Sequence, residues 1–536
     1  MRIIKKKLLL LLLLVCPLIV DSQQVNTLYY MENLPVRNIY NPAFQPISDV
    51  YVSLPVIGYL QASLGNNSIS LKDLIYKHPD ETDPITALYD EKEKLAFYNK
   101  IQPVFSIYSN LHINLLTVGF RRNSSFWTVS INEKIDASSN IPKDFFRLIL
   151  MGTRQENQTN FLPIPVSFDF SSFTVDLKAY TEFALGYAVD INDQWSVGCK
   201  AKFLYGNMNF SNVNYFTKFN LSAFEYTGNS NGSINSSTPF GISYSPNLFP
   251  LTINNDISKN PMSLLKPSGL GGGIDLGVDY WATDQLSLSL AVNDLGFIYW
   301  NKANNVSYDA VYYFDGFRNE TGFSSNDFMY LGSLTKLENV VDSLMIGMKS
   351  NQTINSNSYV TYTNTKLNAG IEYRLFDNNL SLGLLSRTYF TNINISEEIT
   401  PSLNYRPTDW FNAALSYSVF NGKFRNLGLG IGLQTSIFHW FIAADYIPLE
   451  FYKPFIPAST STFNIALGMN LVFNYPSAAE LAAKGKQKLD DRYGCPSCDE
   501  RMPVKKLRRH RAISKQQELP TYNRKTEPIV GPMYGR

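Results

Sequence analysis

Leu367-Asn368-Ala369-Gly370-Ile371-Glu372-Tyr373-Arg374-Leu375, a turn at Asp377-Asn378-Asn379, then Leu380-Ser381-Leu382-Gly383-Leu384, puts an apolar residue on every second position. The intervening positions are small, polar or charged. The alternation recurs at Phe411, Ala413, Leu415, Tyr417 and Val419, at Leu427, Leu429, Ile431 and Leu433, and at Phe463, Ile465, Leu467, Met469, Leu471 and Phe473. Period two is the signature of a β-strand whose faces meet different environments. So regular a polar face over so many long hairpins is poorly suited to a soluble sandwich. A transmembrane barrel requires it, with lipid outside, polar side chains inside, and every backbone group paired in a closed sheet. The sequence therefore predicts an all-β fold, a transmembrane antiparallel β-barrel.

The N-terminus agrees with export. Arg2, Lys5, Lys6 and Lys7 precede an apolar run from Leu8 to Val20, and Val20-Asp21-Ser22 offers a cleavage site, so residues 1–22 read as a signal peptide. Thirteen apolar residues fall short of the roughly 20 that a spanning helix needs. Cys16 follows Val15 where a lipoprotein signal calls for a small residue, which argues against lipidation. The chain holds 33 Tyr and 35 Phe, in keeping with the aromatic girdles of outer-membrane barrels. Charge is uneven. Residues 484–536 hold 14 Lys and Arg against 6 Asp and Glu, a net of +8. With +3 on residues 1–23 and +2 on the whole chain, residues 24–483 carry −9.

One hairpin signature repeats. Tyr280, Tyr373 and Tyr405 each stand four residues before an aspartate (Asp284, Asp377, Asp409), and an apolar residue then restarts the strand. Aspartate caps tight turns through its own side chain, and tyrosine favours the membrane–water boundary. These short turns mark the periplasmic rim, while the Asn-, Ser- and Gly-rich stretches 212–270 and 301–361 read as surface loops. On that polarity, strands begin near 49, 110, 125, 165, 195, 271, 286, 362, 380, 399, 411, 425, 438 and 461. That makes about 14 within a range of 12–16, with both termini periplasmic. The parity is a check, since an odd count would have placed the termini on opposite sides. Asp83 before Pro84 predicts a helix start with Ile85, Leu88, Tyr89 and Leu95 on one face, and a second short helix is expected near 142–151.

The expected organisation is a signal peptide (1–22), a plug or periplasmic lead-in (23–48), the barrel (49–475), and a basic, largely disordered periplasmic tail (476–536). The tail would open with a short helix over 477–489. Asn41-Pro42-Ala43 suits a compact turn, and its surroundings could lodge in the barrel or merely lead into it. Lys200, Lys202, Asp275, Asp279, Glu372, Arg374 and Arg387 fall on predicted lumen positions, either as a self-neutralising network or as the lining of a solute path. Cys199 falls on the lipid side. In the tail, Lys505, Lys506, Arg508, Arg509 and Arg511 are candidates for an anionic partner such as peptidoglycan, or for a periplasmic or secretion-system protein. Cys495 and Cys498 could form a local disulfide.

No Gly-x-Ser-x-Gly, phosphate loop or zinc spacing accompanies His78, His112, His439 or His510. Neither an enzyme, a cofactor nor a nucleic-acid partner is expected, and the expected surroundings are outer-membrane lipid.

The leader, Asn41-Pro42-Ala43, the stretch Phe126-Trp127-Thr128-Val129-Ser130-Ile131-Asn132-Glu133-Lys134 and the hairpin series together resemble a family of Bacteroidota outer-membrane proteins known only as a domain of unknown function (family 5723). The resemblance spans about residues 24–475. It implies a barrel similar to the long-chain fatty acid transporter type, with fourteen strands and an N-terminal plug. Asn-Pro-Ala near the mature N-terminus also resembles barrels that accompany type IX secretion and gliding. Two functions follow as expectations: passive passage of a small, hydrophobic molecule, or a membrane-embedded anchor for a secretion or surface-assembly complex that uses the tail.

Overall fold

The computed structural model describes residues 25–473 apart from 77–84, 87–90, 152–165, 193, 222–225, 240–241, 245–250, 254–265, 302, 315–347, 393–394, 409, 421–422, 436, 448–450, 453–455 and 458–461. Fourteen antiparallel strands form the wall. They are β1 (Val50–Ser53 and Leu60–Asn66), β2 (Val104–Arg122), β3 (Ser125–Pro142), β4 (Thr174–Asp190), β5 (Trp195–Leu221), β6 (Gly269–Trp281) and β7 (Leu286–Trp300). The circuit continues with β8 (Thr365–Leu375), β9 (Leu380–Phe390), β10 (Ile395–Thr408), β11 (Phe411–Phe420), β12 (Lys423–Gln434), β13 (Phe438–Ile447) and β14 (Thr462–Phe473). Both segments of β1 pair with β14, Val50 opposite Phe473 and Leu60 opposite Leu467, so the sheet closes on itself and has no edge at this seam.

The two faces differ as the alternation requires. Along β10, Ser396, Glu398, Thr400, Ser402, Asn404 and Arg406 are buried in the lumen, whereas Ile395, Ile399, Leu403 and Tyr405 are exposed outward. Exposed Leu, Ile and Phe on such strands are not a defect, because lipid is the solvent that this surface is built for. Cys199 lies on that outward face, free and exposed.

Several local features have identifiable causes, and some of them depart from the sequence reading. β1 is interrupted at Pro55, which cannot donate to the ladder. Gly58 N–H turns back to Leu54 O at 2.7 Å, and the strand resumes at Leu60. The helix expected from Asp83 is displaced. Ile85–Thr86 pairs instead with Ile75–Tyr76, and helix α1 spans Glu91–Lys100, while residues 83–84 and 87–90 lie outside the described residues. Helix α2 occupies Lys143–Met151, where a helix was expected. The stretches read as loops contain sheet. β5 continues to Leu221, Tyr226–Ser237 pairs with its upper part and with Ala303–Phe314, and the latter pairs with Met348–Asn355. The tail, with its expected helix over 477–489 and Cys495 and Cys498, lies outside the described residues.

Candidate functional site

Residues 25–48 lie inside the lumen, almost all of them buried against the wall. Two short 3-10 turns, Asn26–Leu28 and Pro35–Ile39, shape them, the second opened by Pro35 with its φ already suited to a helical turn. Their apolar side chains (Leu28, Tyr29, Leu34, Tyr40 and Phe44 among them) cluster with Tyr51, Tyr59, Phe126 and Phe441 of the wall. The segment thus carries its own small core into a polar cylinder. Its polar groups bond to the wall. Asn26 N–H donates to Asp445 Oδ2 at 2.6 Å, and the Thr27 hydroxyl bonds to Asp445 and lies 2.6 Å from Ser416 Oγ. The Tyr30 hydroxyl donates to Leu384 O at 2.7 Å, and Asn368 Nδ2 donates to Tyr40 O at 2.9 Å.

Asn41-Pro42-Ala43 makes the compact turn expected of it. Ala43 N–H donates to Asn41 Oδ1 at 2.9 Å, and Asn41 Nδ2 donates to Val278 O at 3.1 Å. The wall yields to this turn with two glycines. A Cβ at Gly198 would stand 2.3 Å from the Pro42 carbonyl carbon, and one at Gly277 would stand 2.0 Å from Asn41 Oδ1. Gln45 and Pro46 receive Arg121, which also reaches Asp49 at 3.3 Å, where the chain leaves the lumen for β1.

All seven candidate lumen residues are buried in the lumen, but they fall into different groups. Lys202 and Asp275 belong to an ion network on β3–β8, with Lys202 Nζ 2.6 Å from Asp275, 2.6 Å from Asp294 and 3.2 Å from Glu182. Lys134 lies 2.8 Å from Glu182 and 2.7 Å from Asp294, and Lys366 lies 3.0 Å from Asp294. Glu372 and Arg374 form a second group. Arg374 bridges Glu372 and the plug residue Glu32 at 2.6 Å each, Arg406 reaches both carboxylates, and Arg374 stacks 4.0 Å from the centroid of Trp281. Asp279 accepts the Trp281 indole N–H at 3.1 Å. Arg387 donates to Asn368 Oδ1 at 2.6 Å and to plug residue Asn26. Lys200 makes no ion pair within 4 Å among the described residues, and its Nζ stands 3.5 Å from plug residue Asn38.

Sequence reasoning missed Lys134, Glu182, Asp294, Lys366, Glu32, Arg406 and Asp445. Asp294 is instructive, because it lies beside a bulge between β6 and β7 at φ 59°. The adjacent polar pair Asn293-Asp294, which breaks the alternation, was the available signal. Between plug and wall a cavity of about 20 Å3 remains, lined by Asn38, His112, Asn114, Lys200 and Asp275 among others. It is large enough for about one water molecule. His112 Nε2 and Asn114 Oδ1 are buried there without a partner among the described residues, as a bound water would require. Among those residues no three His, Cys, Asp or Glu side chains are grouped to hold a metal.

A closed, lipid-facing antiparallel cylinder holding a folded N-terminal segment defines the class, a plugged transmembrane β-barrel. Within it, the chain belongs to the family of unknown function DUF5723, whose sequence profile matches residues 42–445. No curated protein matches the chain. Solved barrels resemble it at low identity. The Ralstonia pickettii toluene transporter TbuX is 10% identical with a TM-score of 0.35, covering 82% of this chain and 93% of that one. The Pseudomonas putida toluene transporter TodX is 8% identical at 0.35, covering 85% and 98%. A Pseudomonas aeruginosa FadL homologue is 10% identical at 0.33, covering 86% and 100%. At such scores the architecture stands on the strand pairing given above.

Proposed function

We propose that this protein is an outer-membrane pore for passive passage of a small molecule, opened by displacement of residues 25–48. The observation that carries this reading is the division of charge between wall and plug. Lys134, Lys202 and Lys366 are neutralised by Glu182, Asp275 and Asp294, all on the wall, so the network needs nothing from the plug. The Glu372–Arg374 and Glu372–Arg406 pairs also survive without Glu32. Apart from Glu32, the plug's side of the wall contacts described above is uncharged: Asn26, Thr27, Asn38, Gln45 and Pro46 meet Asp445, Arg387, Lys200 and Arg121 through single hydrogen bonds rather than ion pairs, and water can replace these when the plug moves. A hydrophobic solute is favoured by the partly exposed rings of Phe145, Phe170, Phe173 and Phe219 at the end with long connections, where Phe170 lies 6.1 Å from Phe145 and 5.6 Å from Phe219, and Phe173 lies 6.3 Å from Phe145. Such rings can take an apolar molecule from water. The short-turn end and both termini then face the periplasm. Solute uptake by liposomes, with and without residues 25–48, tests the proposal. Flux unchanged by the deletion for every solute tried would exclude a gating plug.

A second reading, an anchor for a periplasmic or secretion-system partner, is favoured by one observation. β14 ends at Phe473 opposite Val50, at the short-turn end, so the basic tail departs from the same side as the plug. Lys505, Lys506, Arg508, Arg509 and Arg511 would be its contacts. Affinity purification with and without residues 476–536 separates the readings, since an unchanged set of co-purifying envelope proteins would exclude a tail-based anchor.

A further inference from the structure

Helices α1 and α2 lie on the outside of the wall, at the end with long connections. Phe146 and Leu150 of α2 pack with Phe105, Ile107 and Ile141. The strand neighbours of those residues point the other way, into the lumen, where the Ser106 hydroxyl donates to Asn140 Oδ1 at 2.7 Å. Lower on β3 and the neighbouring β4 the outer face is apolar and exposed, with Val129, Phe183 and Leu185 about half accessible. α2 therefore crowns the lipid-facing surface.

Two cations on this helix, one turn apart, are held in place by aromatic rings. Lys143 Nζ stands 4.5 Å from the centroid of Tyr98, and Arg147 Cζ stands 5.4 Å from that of Phe168. Spacing of i and i+4 puts them on one side of the helix. Neither forms an ion pair among the described residues, although carboxylates are close. Asp144 is occupied by the Asp169 backbone N–H at 2.8 Å, and Asp169 pairs with Lys218 at 3.3 Å. The rings fix both side chains, which lowers the entropy lost on binding an anion.

We infer that Lys143 and Arg147 form a binding site for the phosphate of a membrane-lipid head group. Two adjacent cations at the upper boundary of an apolar surface match a ligand with acyl chains below and phosphate above. Arg147 supplies planar, two-point hydrogen bonding and Lys143 a compact charge. A basic side chain near an anionic lipid surface contributes enough to change affinity about 5-fold, so the pair should be worth about 30-fold.

The test uses the full-length mature protein purified in detergent, with bisphosphorylated lipid A as probe and retention read by native mass spectrometry. The wild type should retain the lipid, and Lys143→Gln/Arg147→Gln should lose about 30-fold in affinity. The charge-keeping swap Lys143→Arg/Arg147→Lys should retain it, which keeps the test decisive if the neutral pair folds poorly. Arg122→Gln, exposed at the short-turn end far from the site, should behave as wild type. Equal retention by the neutral pair would overturn the proposal. So would binding of inorganic phosphate as tight as that of the lipid, because the ligand would then be a free anion.

Discussion

Replacing Asp294 by Asn probes the wall network at its centre. The backbone there is left-handed at φ 59°, a conformation that Asn tolerates, so the bulge should persist and only the charge should go. Three lysines would then face two carboxylates in a water-poor lumen. Lys134 would keep Glu182 at 2.8 Å, and Lys202 would keep Asp275 at 2.6 Å, but Lys366 would lose its one ion pair among the described residues. Removing one partner of a buried pair costs about 3–5 kcal/mol, and two of the three lysines remain paired, so a loss near the lower end, about 3 kcal/mol, is expected. The double variant Asp294→Asn/Lys366→Met restores the balance and should recover most of that loss, because an apolar substitute for a buried pair is close to neutral. Urea unfolding of vesicle-reconstituted protein, followed by tryptophan fluorescence, measures both. A single variant that unfolds at the wild-type midpoint, or a double variant less stable than the single one, would refute the reasoning.

Three further outcomes are expected. Glu32→Gln removes the plug's charged contact with Arg374 and Arg406 and should weaken plug attachment by about 1.5–3 kcal/mol, read as faster tryptic cleavage after Arg37 with the barrel's unfolding midpoint unchanged. Gly430→Leu should unseat the plug selectively, because a Cβ there would meet Met31 Sδ and Thr27 Cγ2 at 3.0 Å and, on the wall, only Ala443 at 3.4 Å within its nearest contacts. A Thr27→Cys/Ser416→Cys cross-link should form in the parent and fail in that variant. For topology, cysteine at exposed Asn231 should react with an impermeant reagent on intact cells, and cysteine at Gln194 in the exposed β4–β5 turn should not. Labelling at Gln194 would invert the barrel.

Much of the wall was legible because lipid outside and polar packing inside impose period two on nearly every strand. The strand number followed from that alternation together with the Tyr-to-Asp turn spacing. Sequence failed where a different environment acted. Tyr226–Ser237 is Asn-, Ser- and Gly-rich, reads as loop, and still forms a strand, because it pairs with the upper part of β5 rather than with the lipid-facing wall. The bulge at Asp294 shifts the register, so counting every second residue misses the carboxylate that three lysines share. Glu32 carried no signal beyond being polar, since its partners Arg374 and Arg406 lie more than three hundred residues away in sequence. Asp83-Pro84 favoured a helix start locally, yet Ile85–Thr86 found a strand partner at Ile75–Tyr76.

The central claim, that residues 25–48 must move for a solute to pass, is tested most directly by locking them. Thr27 Oγ1 and Ser416 Oγ are 2.6 Å apart, so Thr27→Cys/Ser416→Cys should join plug to wall through a disulfide, with Cys199, Cys495 and Cys498 all changed to Ser so that no other thiol competes. Flux of a series of small hydrophobic and polar solutes into liposomes is then measured before and after reduction. The account predicts negligible flux when oxidised and solute entry once the bond is reduced, restored to zero by reoxidation. Equal flux in the two states would contradict it.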